Sequence, residues 1–391
     1  MAGPSPTVMR LLGIPLKVGP IGAARLAIYL AFFNLGAGSG IWAVFIPVVG
    51  ARLEIGEGVL GLALLTIALG AMAAMPVTGW AIARYGSHAI SATAAVIMPL
   101  VWVLPIVAPS LGLLFVATLA MGVAAGVLDV SMNNEAARVE ATSGRALMSG
   151  FHALYSVGGL AGAGIGALLV STGDAAGWLT AVTFAILAVA ALLVRGWYLP
   201  AASRPLSSVR FTLPSRQLVG LGILAFLCFG LEGAVADWSA LFLVQAKDAS
   251  AALAAAGYAS FSATMAVMRL VGDRLVTALG RRKAVFAGGL VIAAGCTLSL
   301  LAPWPLVSAV GFALIGIGAA NVVPVVISSA ARFPPESGGV SAVSTIGYVG
   351  TLSWPPVIGG LSHLVGLPIA LWLIAIAGLA ITFGARLVRA D

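Results

Sequence analysis

Charge is what this sequence has least of. Only 8% of its 391 residues are Asp, Glu, Lys or Arg, against about 25% in soluble domains, which excludes a water-facing surface over most of its length. Histidine occurs three times, at His88, His152 and His363, far apart, and the two cysteines, Cys228 and Cys296, both lie inside apolar runs. That scarcity leaves no ligand spacing for a metal centre, no disulfide framework and no nucleophile beside its base. Isolated thiols in apolar runs read as small packing residues. No GxxxxGK(S/T) phosphate loop occurs, so an ATP-driven machine is not expected. Neither an enzyme nor a cofactor is expected. Alternating apolar and polar tens, the mark of a membrane β-barrel, are also missing.

What is there is apolar: 61% of the residues are hydrophobic. Runs long enough to cross roughly 30 Å of hydrocarbon recur along the chain. They are rich in Gly and Ala, which favours helices packed closely on other helices. The breaks between them predict an all-α membrane protein of twelve transmembrane helices, at 23–50, 58–82, 88–108, 110–136, 146–172, 176–198, 217–245, 250–275, 284–303, 305–331, 338–364 and 367–388. The stretch 199–216 (LPAASRPLSSVRFTLPSR) is polar, with three Pro and three Arg. It reads as a cytoplasmic central loop between a six-helix bundle at 1–198 and a second at 217–391. The N-terminus (MAGPSPTVMRLLGIPLKVGP) is basic and broken by Pro, and reads as a cytoplasmic lead-in and not as a signal peptide.

With both termini in the cytoplasm, eighteen of the twenty basic residues fall on the inner side, and only Arg52 and Lys247 fall outside. This asymmetry follows the positive-inside rule. It also accounts for the net charge of +8 through anionic lipid, with no nucleic-acid partner. The expected setting is a bacterial inner membrane, with the chain a monomer. The two halves repeat one another. GVAAGVLDVSMNNEAAR (122–138) lies over GIGAANVVPVVISSAAR (316–332) at an offset of 194, which also brings Gly86 onto Gly280 and Gly144 onto Gly338. Duplicated bundles of this kind are expected to hold a solute near the membrane midplane.

Twelve spans as six plus six, the basic central loop and the turn RLVGDRLVTALGRRK (269–283) resemble the major facilitator superfamily of secondary transporters. The stretches GVLDVSMNNEAARVEATSGRALMSGFH (126–152) and EGAVADW (232–238) are similar to bacterial permeases related to the fucose permeases. The resemblance implies alternating access by two pseudo-symmetric bundles, a small-molecule solute, and a cavity lined by the first, fourth, seventh and tenth helices with the fifth and eighth nearby. Three positions depart from the family pattern. Ala83 replaces its usual Asp, Thr118 stands where an Arg is common, and GGLAGAGIG (158–166) lacks the Pro typical of drug/proton antiporters.

An ionisable group in hydrocarbon is a functional candidate by default. Glu232 falls roughly 21 Å into the seventh span and Asp237 about 28 Å, close to the outer boundary, with roughly 140° of helix rotation between them. Glu232 is therefore the expected proton-coupling carboxylate, with His152 as a second proton-coupling candidate. Asp237 and Trp238 are expected at the outer mouth of the cavity. Asn34, Tyr155 and Asn321 are expected to line it, offering donors and acceptors to hydroxyl or amide groups. Asp129, Glu135, Arg138 and Arg145 are expected to form a cytoplasmic gate network. Arg269 and Asp273, four residues apart, are expected to join it. With the basic residues grouped at the inner ends, a neutral solute is slightly favoured. The function expected is proton-coupled symport of a small polar solute, sugar-like or an organic acid, with proton-driven efflux as the alternative.

Overall fold

A computed structural model describes residues 19–55, 57–173, 176–200, 214–249, 251–334 and 338–389. Every regular element among them is helical. The N-terminal lead-in and residues 201–213 of the central loop lie outside these ranges. The helices are α1 (Pro20–Arg52), α2 (Glu57–Tyr85), α3 (Ser87–Val107), α4 (Leu111–Ser143), α5 (Met148–Val170), α6 (Ala176–Val194), α7 (Arg216–Lys247), α8 (Ala251–Leu279), α9 (Arg281–Leu301), α10 (Pro305–Ala319), α11 (Val322–Ala330), α12 (Gly339–Val365), α13 (Leu367–Ala370) and α14 (Trp372–Gly384). Among the described residues, ten stretches are long and apolar enough to cross a bilayer. Helices α8 and α12 fill the eighth and eleventh expected positions.

The chain divides into two compact units. One comprises Met1–Gly144 with Leu154–Thr212, the other Arg145–Ala153 with Leu213–Asp391. The first residues of α5 therefore cluster with the second unit. Within the first unit α4 packs on α2 and α3, and α3 on α6; within the second, α10 packs on α8 and α9, and α9 on α14. The same neighbours thus recur in each unit.

The repeat is written most plainly in the turns. The left-handed backbone positions among the described residues fall into pairs: Glu54 and Asp248, Gly86 and Gly280, Gly144 and Gly338, each 194 apart, and Gly173 with Gly366, 193 apart. Gly86 and Gly280 each join two long helices through a single residue, at φ 85° and 80°. A side chain is strained there, so glycine permits the turn. Close approach repeats as well. A Cβ on Gly122 would lie 1.9 Å from the Ile67 carbonyl oxygen, and one on Gly316 would lie 2.3 Å from that of Phe261.

Two boundaries differ from the sequence expectation. Helix α4 runs to Ser143 rather than ending near 136. Hydropathy falls off at Asn133, but Glu, Ala and Arg are good helix formers, so the helix continues where the apolar run does not. The tenth expected span is two helices with a break at Asn321 (φ −106°, ψ −1°). Pro324 causes it: lacking an N–H, it cannot bond the carbonyl four residues earlier, at Ala320.

Arg52 and Lys247, the two basic residues expected on the outer side, do the same job in the two units. Arg52 donates to the carbonyls of Ile106 and Ala108 at the end of α3. Lys247 donates to those of Leu300 and Ala302 at the end of α9, at 2.9 and 2.7 Å. A cation there answers the exposed carbonyls and the negative end of the helix dipole. Lys247→Met is expected to cost about 1–2 kcal/mol, read as a lowered thermal midpoint in detergent, whereas Lys247→Arg should retain most of it.

Candidate functional site

Glu232 is the middle residue of α7, about 24 Å along the helix from Arg216 at 1.5 Å per residue. The structure pairs it with Arg269 of α8. The guanidinium Nη2 lies 3.5 Å from Glu232 Oε1, and the two side chains are 8% and 22% exposed, Arg269 and Glu232 respectively. Glu232 thus keeps one accessible edge while its cation is buried.

Two further groups contact the pair, the Cys228 thiol and the Ala320 carbonyl. The Cys228 thiol, one turn earlier on α7, donates toward Glu232 Oε1 at 3.6 Å and toward the Ala319 carbonyl at 3.7 Å. Arg269 Nε donates to the Ala320 carbonyl at 3.4 Å. That carbonyl is the one Pro324 deprives of its helical donor, so the break between α10 and α11 supplies an acceptor that fixes the guanidinium. His152, at the start of α5, lies within electrostatic reach of Arg269.

One turn beyond Arg269, Asp273 accepts from the backbone amides of Ser149 and Gly150, at 2.9 and 3.0 Å. A carboxylate on the first amides of α5 satisfies donors that the helix itself cannot, and it complements the helix dipole. Ser149 Oγ donates to Asn321 Oδ1 at 2.7 Å. Gly272 makes room for this contact, since a Cβ there would fall 1.9 Å from Asn321 Oδ1.

The partner of Arg269 differs from the one its sequence neighbours suggest. Counted with the inner-side arginines and grouped with Asp273 at a gate, Arg269 lies about 15 Å in from the end of α8, with its guanidinium on Glu232. The preference for a neutral solute rested on the lack of a cation at depth, and Arg269 removes that ground.

The other expected residues are distributed as follows. Asn34 is fully buried and donates to the Leu187 carbonyl of α6 at 3.3 Å, which places it in helix packing with no exposed face. Tyr155 is half-buried on α5, and its backbone carbonyl lies against Gly36 of α1. Asn321 is 5% exposed and engaged by Ser149. Asp237 is exposed. Trp238 is half-buried, its indole against Gly359 of α12.

In the first unit, Asp129 accepts from Asn133 Nδ2 at 3.1 Å, an in-helix contact. Glu135 is fully buried. It accepts from Ser87 Oγ at the start of α3 and pairs with Arg138, which also donates to the Pro200 carbonyl at 2.7 Å. Glu135 and Arg138 thus tie α4 to α3 and to the chain leaving α6. Arg145 is exposed.

The sequence reading took Cys228 for a packing residue and passed over Ser149 and Ser87. Cys228 is four residues before Glu232, a same-face spacing that marks it. Ser149 and Ser87 carry no pattern that distinguishes them from other serines in the chain.

The sequence matches the profile of the Major Facilitator Superfamily over residues 28–278 and 221–391. It is 37% identical over 369 residues to an uncharacterized MFS-type transporter of Yersinia pestis, covering 92% of this chain and 94% of the relative. It is 32% identical over 362 residues to the membrane protein MosC of Rhizobium meliloti, covering 91% and 88%. Among solved structures it is similar to the fucose:proton symporter FucP of E. coli, at a TM-score of 0.77 and 15% identity over 94% of this chain and 98% of that one. It is also similar to the human organic anion transporter MFSD10, at 0.71 and 16% over 94% and 100%. At these identities the two structures speak to the fold.

Proposed function

The chain belongs to the Major Facilitator Superfamily, and on that premise we propose that it is a proton-coupled symporter taking up a small polar organic solute by alternating access. In this reading the twelve spans cross a bacterial inner membrane with both termini in the cytoplasm, and the chain works as a monomer. Glu232 carries the coupling proton. Arg269 holds it, and Asp273 with Ser149 and Asn321 forms the part of the inner gate that belongs to the second unit.

The observation that supports this best is the Glu232–Arg269 pair at mid-helix. Removing two charges from water costs several kcal/mol each, and an ion pair regains that only with good geometry. At 3.5 Å the contact is long beside the roughly 2.8 Å of a strong charge-assisted bond. A pair so placed is better suited to opening and closing than to holding a core together. Protonation of Glu232 removes one of its two charges and releases the carboxyl group from the guanidinium, which the Ala320 carbonyl still holds. Aqueous access through the exposed edge of Glu232 gives the proton its route.

The test is a pH electrode in a lightly buffered suspension of proteoliposomes, with sugars, polyols and carboxylates added one at a time. Symport is expected to alkalinise the outside as a transported solute enters. Acidification on addition of the solute would assign antiport instead, and solute entry with no proton movement would remove the coupling.

A further inference from the structure

The charge balance of the Glu232 site bears on the kind of solute it takes. Arg269 is 7% exposed, fixed through Nε by the Ala320 carbonyl, and turned toward Glu232 through Nη2. Groups near the pair include Cys228 on α7, a weak donor, and His152 on α5, within electrostatic reach of Arg269 and unable to hold a negative charge. Asp273, one turn away, is engaged with the amides of Ser149 and Gly150. Whatever else Arg269 touches, placing a proton on Glu232 adds one unit of positive charge to a largely buried site. Added charge in that environment costs energy unless an anion enters with it. A guanidinium presents a planar fork that matches a carboxylate.

Resting on the proton-coupled reading above, we propose that the solute is a carboxylate anion, which takes the place of Glu232 on Arg269 as Glu232 accepts a proton. The exchange leaves the site's charge unchanged: one proton and one negative charge enter together. On the opposite side both leave, and the ionised Glu232 returns to the guanidinium. Transport is then electroneutral, driven by the pH gradient and indifferent to membrane potential.

The experiment uses matched pairs that differ in the carboxylate: galacturonate against galactose, and lactate against lactamide. Labelled uptake into proteoliposomes is measured under an inward pH gradient, with a potassium diffusion potential set to zero or to about −100 mV, and protein-free liposomes as background. At least one carboxylate is expected to accumulate about tenfold over its neutral partner, to the same extent at both potentials. Arg269→Lys, which keeps the charge but loses the fork, is expected to reduce that uptake about tenfold. The double variant E232Q/R269Q, whose folding is checked by monodisperse elution, should no longer bind the carboxylate in equilibrium dialysis.

Accumulation of neither carboxylate overturns the proposal, as does uptake that scales with potential. Gradient-driven uptake of galactose or lactamide alone also overturns it while leaving proton coupling intact. Carboxylate exchange that ignores the pH gradient does the reverse: it upholds carboxylate recognition and removes the coupling.

Discussion

Arg269→Gln alone is expected to destabilise the second unit by about 3 kcal/mol, near the low end of the cost of breaking a buried ion pair. The loss is large because Glu232 keeps its burial and loses its cation. It stays near the low end because the side chain is 22% exposed and can take up a proton instead of remaining charged. The Ala320 carbonyl also loses its donor, and the helix break prevents the backbone from replacing it. In the double variant E232Q/R269Q both charges are gone, and stability should recover to within about 1 kcal/mol of the native chain. Thermal unfolding in detergent across the four members of this cycle gives the coupling energy directly. Additive losses in the double variant would show that the two side chains act independently.

The second large effect concerns the paired glycines of α4 and α10. Gly122→Leu and Gly316→Leu are each expected to cost at least about 3 kcal/mol and to lower the yield of folded protein sharply. The obstacle in each case is a backbone carbonyl, 1.9 and 2.3 Å from the added Cβ, and a backbone cannot swing aside as a flexible side chain can. Because Ile67 and Phe261 are themselves 194 apart, the two losses should be similar. Gly164→Ala on α5 is the control. Nothing lies within 4 Å of the added carbon, so stability should stay the same or rise by up to about 1 kcal/mol through better helix propensity. Fluorescence-detected size exclusion after heating reads all three.

Particular residues show how far the sequence reaches. The helices and their repeat are legible because they rest on local features: apolar runs of spanning length and glycine turns at Gly86, Gly144, Gly280 and Gly338. Glu232 is legible as a candidate because an acid inside an apolar run stands out without any knowledge of its neighbours. Its partner is not. Arg269 sits 37 residues away, and along the sequence it groups as naturally with Asp273 or with the inner-side arginines. Only the packing of α7 on α8 selects Glu232. The extra turns of α4 escape a hydropathy reading because helix propensity outlasts the apolar run. Pro324 is visible in the sequence, but that its unpaired carbonyl at Ala320 meets Arg269 depends on how α8 lies against the break. Asn34 is legible as a polar residue at depth, but that its amide serves the Leu187 carbonyl depends on how α6 lies against α1.

Whether Glu232 carries the coupling proton is decided by a single variant. Glu232→Gln keeps the side chain's shape and a hydrogen-bonding oxygen but cannot cycle a proton. In proteoliposomes, this variant is expected to retain counterflow exchange of a transported solute across equal pH. It should lose accumulation under an imposed pH gradient by about a hundredfold or more, with no alkalinisation as the solute enters. Accumulation and proton movement at the native level in Glu232→Gln would place the coupling elsewhere.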